Sequence, residues 1–249
     1  MKILIITVAG MSTRFSKSVG KDVIKCLYND TSIADSLISH ILHKAEMFDK
    51  YIIVGGYRYS ELQSEIMEHF PEFADKLEII ENKYYEKYGS GYSLYCGMKK
   101  ALKYSFDEIV FAEGDLFFDA VSFSKVCCSQ MNVITYNNEP IIADKAVAFY
   151  LDTSKKIHYI YDIYHNSLEI NEPFISIYNS GQVWKLVDKD KICETYNNMN
   201  MTDWEGTNLV FIEKYFNAVN SDALEIIRLD SWVNCNTVND YHKIKEMIR

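Results

Sequence analysis

Proline and glycine are scarce in this 249-residue chain, with three and ten respectively. That scarcity excludes a Pro/Gly-rich linker and any low-complexity tract. There is no internal repeat, so the expectation is a single domain over 1–249, with one half over 1–120 and another over 121–249. The six cysteines (Cys26, Cys96, Cys127, Cys128, Cys193 and Cys235) form no CxxC pair and no metal-like Cys/His spacing. A zinc framework is thereby excluded, and reduced thiols in a cytoplasmic protein are expected. No run approaches the roughly 18 apolar residues that a membrane helix needs. The opening "MKILIITVAG" carries an apolar run of only about eight residues and reads as a buried strand rather than a leader. Positive charge is also in deficit, with 26 Lys and Arg against 35 Asp and Glu and a net −9. A surface built for nucleic acid or an anionic membrane is excluded on that ground. Any anion bound here has to be met by a local basic cluster.

Apolar segments are plentiful, at 48% hydrophobic residues, enough for a sizeable core. "ILIITV" (3–8), "YIIVGGY" (51–57), "LEIIEN" (77–82) and "EIVFAEGD" (108–115) read as strands. Helical periodicity lies between them at 32–48, 58–70 and 91–104. In the first of these Ile33, Leu37, Ile38, Ile41, Leu42 and Ala45 make one apolar face. Strand and helix alternating at this spacing imply right-handed βαβ units. After Asp119, itself read as a helix cap or turn residue, the pattern changes. Strands follow at 132–136, 145–152, 157–164 and 174–181, with helices at 183–198 and 205–217, a strand at 224–229 and a closing helix at 237–248. Thr237 is a candidate N-cap for that helix, with Asp240 three residues on. The fold class is α/β: a mixed, mostly parallel central sheet flanked by helices, Rossmann-like, with a small antiparallel lobe.

Ligands of open α/β sheets bind beyond the carboxyl ends of the strands, which singles out two loops. The first, "TVAGMSTRFSKSVGKDVIKCL" (7–27), has too few glycines for GxGxxG and is not a GxxxxGK[ST] loop. It does combine Gly10, which permits close backbone approach, with the donors Ser12 and Thr13 and with Arg14 and Lys25, which can place positive charge on a triphosphate. A plain connecting loop with solvated lysines is the competing reading, and Lys17 is assigned to it. The second loop carries Glu113 and Asp115 around Gly114, a strand-end pair of carboxylates suited to Mg²⁺ held together with substrate phosphates. A third segment, "NKYYEKYGSGYSLYCGM" (82–98), opens a helix at Gly89, Ser90 and Gly91, whose amides can meet a base or a phosphate. Its tyrosines read mainly as packing.

Together these segments resemble the nucleotidyltransferases of the sugar-nucleotide pyrophosphorylase type. The signature of that family is an apolar strand, then A-G-x-G-x-R, then Pro-Lys. "AGMSTRF" (9–15) matches it with Ser12 at the second glycine, and "IKCL" (24–27) stands at Pro-Lys, giving Lys25 the lysine role. The resemblance is greatest to the small CTP-using phosphocholine cytidylyltransferases and spans nearly the whole chain, through "NKYYEKYGSGYSLY", "EGD", "NSGQVW" and "CNTVNDYHKIKEMI". One departure is marked: Asn236 stands where the family has an acidic second metal ligand, and Asn234 stands at a neighbouring acid. Asn236, or Asp203 or Glu205 in "TDWEGTN", or the nucleotide itself is left to complete a site built on Asp115. In its "KCL" and "EGD" segments the chain also looks like the cytidylyltransferases that activate phosphoglutamine for capsule phosphoramidate synthesis.

The resemblance implies a Mg²⁺-dependent CMP transfer from CTP to a small phosphomonoester, with L-glutamine phosphate the favoured acceptor and pyrophosphate released. Arg14, Lys25 and Asp115 are the implied catalytic residues. Ala9, Gly10, Met11, Ser12, Thr13, Lys21, Gly89, Ser90, Gly91, Ser93 and Glu113 are the implied nucleotide-binding residues. Tyr178, Trp184, Asp203, Trp204 and Glu205 are expected to line the acceptor pocket. The partners are CTP and the acceptor, and a homo-oligomer is compatible with the reading. Competing readings are a phosphocholine or sugar-1-phosphate nucleotidyltransferase, a nucleotide-sugar glycosyltransferase using EGD as a metal motif, and a non-catalytic nucleotide-binding module.

Overall fold

The computed structural model describes residues 1–144, 146–161 and 167–248. The first half runs β1 (Lys2–Thr7), α1 (Thr13–Val19), α2 (Leu37–Lys44), β2 (Lys50–Gly55), α3 (Tyr59–His69), β3 (Leu77–Glu81), α4 (Ser90–Ala101) and β4 (Glu108–Glu113). Then come β5 (Leu116–Phe118), α5 (Ala120–Cys128), β6 (Asn132–Asn137), β7 (Val147–Asp152), β8 (Ile157–Tyr161) and β9 (Phe174–Leu186). The chain closes with α6 (Lys189–Asn198), α7 (Met201–Glu205), α8 (Leu209–Ala218), β10 (Leu224–Arg228), β11 (Trp232–Asn234) and α9 (Val238–Ile248).

The central sheet has the order β10-β6-β9-β4-β1-β2-β3. Every strand on this path runs the same way except β9, which is antiparallel to both β4 and β6. This is the expected mixed, mostly parallel sheet. Its inner strands are apolar on both faces, as sheets covered by helices on both sides require. Leu4 and Ile6 of β1 pack with α2, α3 and α5 through Ile38, Ile41, Leu62, Ile66 and Phe123. Ile3 and Ile5 pack on the opposite side with α4, α6 and α8 through Leu94, Met98, Ile192, Phe211 and Tyr215. All four β1 side chains are fully buried, each worth about 1.5–3 kcal/mol of burial.

β9 is long enough to serve two sheets. Its second half lies between β4 and β6, while residues 174–179 pair with β7, which in turn pairs with β8. This antiparallel extension is the small lobe. The change of direction falls at Gly181 and Gln182, where the β6–β9 register shifts and Gln182 has φ 54°. A Cβ at Gly181 would stand 2.5 Å from Thr135 Oγ1, so only glycine lets the strands cross there. A separate two-stranded sheet joins β5 to β11 antiparallel, with Asn234 opposite Leu116.

Several elements differ from expectation for local reasons. The helix expected over 32–48 is a 3-10 turn at Ile33–Asp35 followed by α2, because Ser36 is extended and caps α2 by accepting from Ser39 N–H. The helix expected over 183–198 starts at Lys189, since "VWKL" completes β9 in the core and Asp188 caps α6. The helix expected over 205–217 is split at Gly206 into α7 and α8. α5 was not anticipated, although Asp119 caps it by accepting from Ser122 N–H at 2.8 Å. At α9 Thr237 and Asp240 bond reciprocally, as a capping box does. The strands expected over 145–152 and 157–164 are β7 and β8; positions 145 and 162–164 lie outside the described residues.

Candidate active site

β1 and β4 end side by side, with Thr7 opposite Glu113. The chain leaves both strands toward one cleft of about 280 Å³, lined by Thr7–Gly10, Ser12, Ile24–Cys26, Tyr85, Tyr88–Ser90, Ser93 and Glu113–Asp115. Gly114 makes the close approach possible: its N–H donates to Thr7 O at 2.9 Å, and a Cβ there would stand 2.2 Å from a Val8 methyl carbon. Asp115 is thereby turned toward the loop that follows β1.

The stretch 7–27 is more structured than a loop. It contains α1 and a 3-10 turn at Lys25–Leu27. Ser12 sits in the left-handed region at φ 56°, a conformation that favours glycine. Its hydroxyl accepts from Lys25 N–H at 3.3 Å, so the serine that replaces a signature glycine ties the two ends of the stretch together. Lys25 Nζ then donates to Asp115 Oδ2 at 2.8 Å, with side chains 17% and 26% exposed. The second carboxylate oxygen of Asp115 is buried and has no hydrogen-bond partner among the described residues.

Glu113 lies beside this pair. Asn208 Nδ2 donates to Glu113 Oε1 at 2.7 Å. Burial, reinforced by the negative charge of Asp115, pushes the Glu113 carboxyl up to about 7 against the hydrogen bond from Asn208. Cys26 also lines the cleft, but burial pushes its thiol up to about 12, which excludes it as a neutral-pH nucleophile.

A second cleft, about 420 Å³, is lined by Arg14, Glu139, Pro140, Ile142, Ala146, Asn179, Trp232–Asn234, Asn236, Thr237, Asp240 and Lys243. Arg14 is exposed and has no hydrogen-bond or ion-pair partner among the described residues, whereas Lys243 reaches Glu139 at 3.8 Å. Asn236 Nδ2 donates to Asn234 Oδ1 at 3.0 Å. The two clefts meet at one piece of backbone: Cys235 N–H, between those asparagines, donates to Asp115 O at 2.8 Å.

The first cleft gathers Ala9, Gly10, Ser12, Lys25, Gly89, Ser90, Ser93, Glu113 and Asp115 from the sequence-derived set. It does not gather the rest. Arg14, in the first turn of α1, lines the second cleft. Lys21 lines a shallow depression with Asp22, Arg58 and Glu61. Exposed Met11 and Thr13 line neither cleft. Gly91 is buried, and the N–H groups of Gly89 and Gly91 already donate to Glu205 O and Gly206 O. They are spent on holding α4 against the end of α7.

The expected acceptor residues are corrected more fully. Trp184 is fully buried, stacked on Phe111 and donating to Tyr159 OH. Trp204 is 2% exposed and stacked on Phe211. Tyr178 packs on Phe149 and Tyr136. Asp203 is taken up by the capping box of α7 and an ion pair with Lys214, and Glu205 lines neither cleft. Asp203 and Glu205 are therefore not placed to complete a metal site at Asp115. Nothing in the local sequence pattern singles out Asn208, nor the residues of the second cleft as an acceptor pocket.

Among the described residues no three His, Cys, Asp or Glu side chains are grouped as a metal site. No described helix is long and apolar enough to cross a membrane. The buried, unpartnered oxygen of Asp115 does fit a hard cation that takes one carboxylate and completes its shell with substrate phosphates.

Solved structures with this fold cover the whole chain. An inositol-1-phosphate CTP transferase from T. maritima matches 99% of this chain and 96% of its own at 15% identity, TM-score 0.68. HddC from Yersinia pseudotuberculosis, complexed with GMP-PN, matches 100% of both chains at 16% identity, TM-score 0.62. A CTP:phosphocholine cytidylyltransferase from Streptococcus pneumoniae matches 100% of this chain and 99% of its own at 14% identity, TM-score 0.63. At such identities the likeness shows the Rossmann-like nucleotidyltransferase fold. No curated protein sequence matches the chain. The model of one family, described as "Domain of unknown function (DUF6564)", matches residues 21–248, and the chain belongs to that family.

Proposed function

We propose that this protein is a cytoplasmic cytidylyltransferase that moves CMP from CTP to a small phosphomonoester and releases pyrophosphate. The observation that carries the reading is the Lys25–Asp115 pair, with one Asp115 oxygen left unpartnered, at the mouth of β1 and β4 in a fold shared with nucleotidyltransferases. A phosphate oxygen of the acceptor attacks the α-phosphorus, the bond from that phosphorus to the bridging oxygen breaks, and pyrophosphate leaves with the electron pair. No protein nucleophile takes part. Catalysis is positioning and charge neutralisation. Lys25 faces the phosphates, the turn at Gly10–Ser12 lets the chain approach them, and Ser90 and Ser93 flank the base. Asp115, with the amide of Asn236 as a weaker companion, would hold Mg²⁺. When bound, that ion would neutralise phosphate charge.

The second cleft is read as the acceptor pocket, and Arg14, unpaired among the described residues, takes the incoming phosphate in place of the expected triphosphate role. Residues 1–120 then supply most of the nucleotide site and 121–249 most of the acceptor site of one domain. The amide lining from Asn179, Asn234 and Asn236 supports a polar acceptor, and L-glutamine phosphate, for capsule polysaccharide modification, heads the panel. Pyrophosphate release is measured with CTP, Mg²⁺ and a panel of glutamine phosphate, phosphocholine and sugar 1-phosphates. Release with any of them supports the reading. CTP binding without release from any acceptor overturns it in favour of a binding module.

A further inference from the structure

Asn208 precedes α8 with helical backbone, φ −59° and ψ −24°, and the first turn is capped by Thr207, whose Oγ1 accepts from Leu209 N–H at 3.3 Å. The Asn208 side chain makes no cap bond. The residue is 1% exposed, and its side chain is used sideways instead: Nδ2 donates to Glu113 Oε1 at 2.7 Å and Oδ1 accepts from Thr207 Oγ1 at 3.3 Å. Its own N–H donates to Ser90 Oγ at 3.1 Å. With the cap supplied by Thr207, a buried amide is spent on holding one carboxyl group.

The bonds also locate that carboxyl group. Through Asn208 it is linked to Ser90, at the start of α4 and on the base side of the first cleft. Two residues along the chain, Asp115 faces Lys25 on the phosphate side. Glu113 therefore stands between the two sides, and in a nucleotide the group between base and phosphate is the sugar. One Glu113 oxygen is held by Asn208; the other has no partner among the described residues. A carboxyl oxygen at that place accepts from vicinal hydroxyls, the chemistry by which an acidic residue reads ribose in dinucleotide folds.

Resting on the nucleotide reading above, we propose that Glu113 is the specificity-determining residue for the sugar and Asn208 its positioning residue, so that the site takes ribonucleoside and rejects 2′-deoxyribonucleoside triphosphates. The test is calorimetric binding of CTP, 2′-deoxy-CTP and 3′-deoxy-CTP with Mg²⁺ to wild type, Glu113→Ala, Glu113→Gln and Asn208→Ser, with thermal melts to verify folding. Wild type is expected to favour CTP over 2′-deoxy-CTP by about ten- to a hundredfold, the size of one lost hydrogen bond to a charged group. Glu113→Ala should bring that ratio to within about threefold of unity, and Glu113→Gln and Asn208→Ser to intermediate values. Equal binding of CTP and both deoxy analogues by wild type overturns the sugar assignment while leaving the nucleotide reading intact. So does a ratio that survives Glu113→Ala. Absence of CTP binding to wild type overturns the nucleotide reading itself. If Asn208→Ser lowers the melting temperature and leaves the ratio unchanged, Asn208 is structural only.

Discussion

The two clefts differ in how their cations are kept. In the first, Lys25 is ion-paired with Asp115, its backbone is tied to Ser12, and both side chains are largely covered. In the second, Arg14 is exposed and unpartnered among the described residues, beside an ion pair, Lys243–Glu139, in which both side chains are half exposed. A covered, mutually oriented pair is a preorganised site whose charges act at reduced dielectric. An exposed arginine on a polar wall receives a ligand without being set for chemistry. On the proposed reading, bond-breaking would belong to the first cleft and acceptor recognition to the second, although both cations come from one stretch of sequence only eleven residues apart.

The sharpest way to break that contrast is Asp115→Asn. It should lower pyrophosphate release by about 100- to 1,000-fold, the scale seen when one preorganised charge-stabilising group is removed, while circular dichroism stays unchanged; undiminished turnover removes Asp115 from the site. Lys25→Ala should follow at about 100-fold, against no measurable change for the solvated Lys17→Ala. Equal effects of the two lysines would mean that the loop has been placed wrongly.

Arg14→Ala sharpens the comparison by splitting the kinetics. The KM for the acceptor should rise about tenfold, one charge-assisted hydrogen bond at an exposed position, with the KM for CTP unchanged. A rise in the CTP value instead would return Arg14 to the triphosphate.

The smallest effect is structural. Asp119 accepts from Ser122 N–H and Ser231 N–H, anchoring the β5–β11 wall of the second cleft, and Asp119→Ala should cost about 1 kcal/mol, or about 2–4 °C in Tm. Burial would raise the Asp119 carboxyl, but those hydrogen bonds outweigh it and hold it below the ordinary value of 3.8. A lowered folded pKa means that its stabilisation is present above pH 4 and is lost as pH falls through the folded value. Wild type should therefore lose stability in that acid window more steeply than the variant, as read by urea melts at stepped pH.

Much of the fold was legible because period and burial are written locally. The apolar runs of β1, β2 and β4, the amphipathic stripe of α2 and the capping box of α9 depend on neighbours within a few residues. The boundaries that shifted are those that distant partners decide: "VWKL" has the hydrophobicity of a buried helix face and becomes strand because β4 and β6 offer it backbone partners on either side. Trp184, Trp204 and Tyr178 have the chemistry of acceptor contacts, but core burial takes the two tryptophans from both clefts, and packing on Phe149 and Tyr136 takes half-buried Tyr178.

By itself the sequence determined the class of fold, and it pointed to two strand ends and to Lys25 and Asp115, which the structure brings together in one cleft. These follow from hydrophobic period and from carboxylates and lysines at the ends of apolar runs, features each segment carries alone. Only the tertiary structure decided that Arg14 and Lys25 part into different clefts, that Asn208 holds Glu113 across 95 residues of chain, and that Cys235, between Asn234 and Asn236, is anchored to the backbone of Asp115. Arg14 lies in α1 and Lys25 in a separate 3-10 turn; where these point, and which remote segments meet in hydrogen bonds, is set by packing, which no local pattern records.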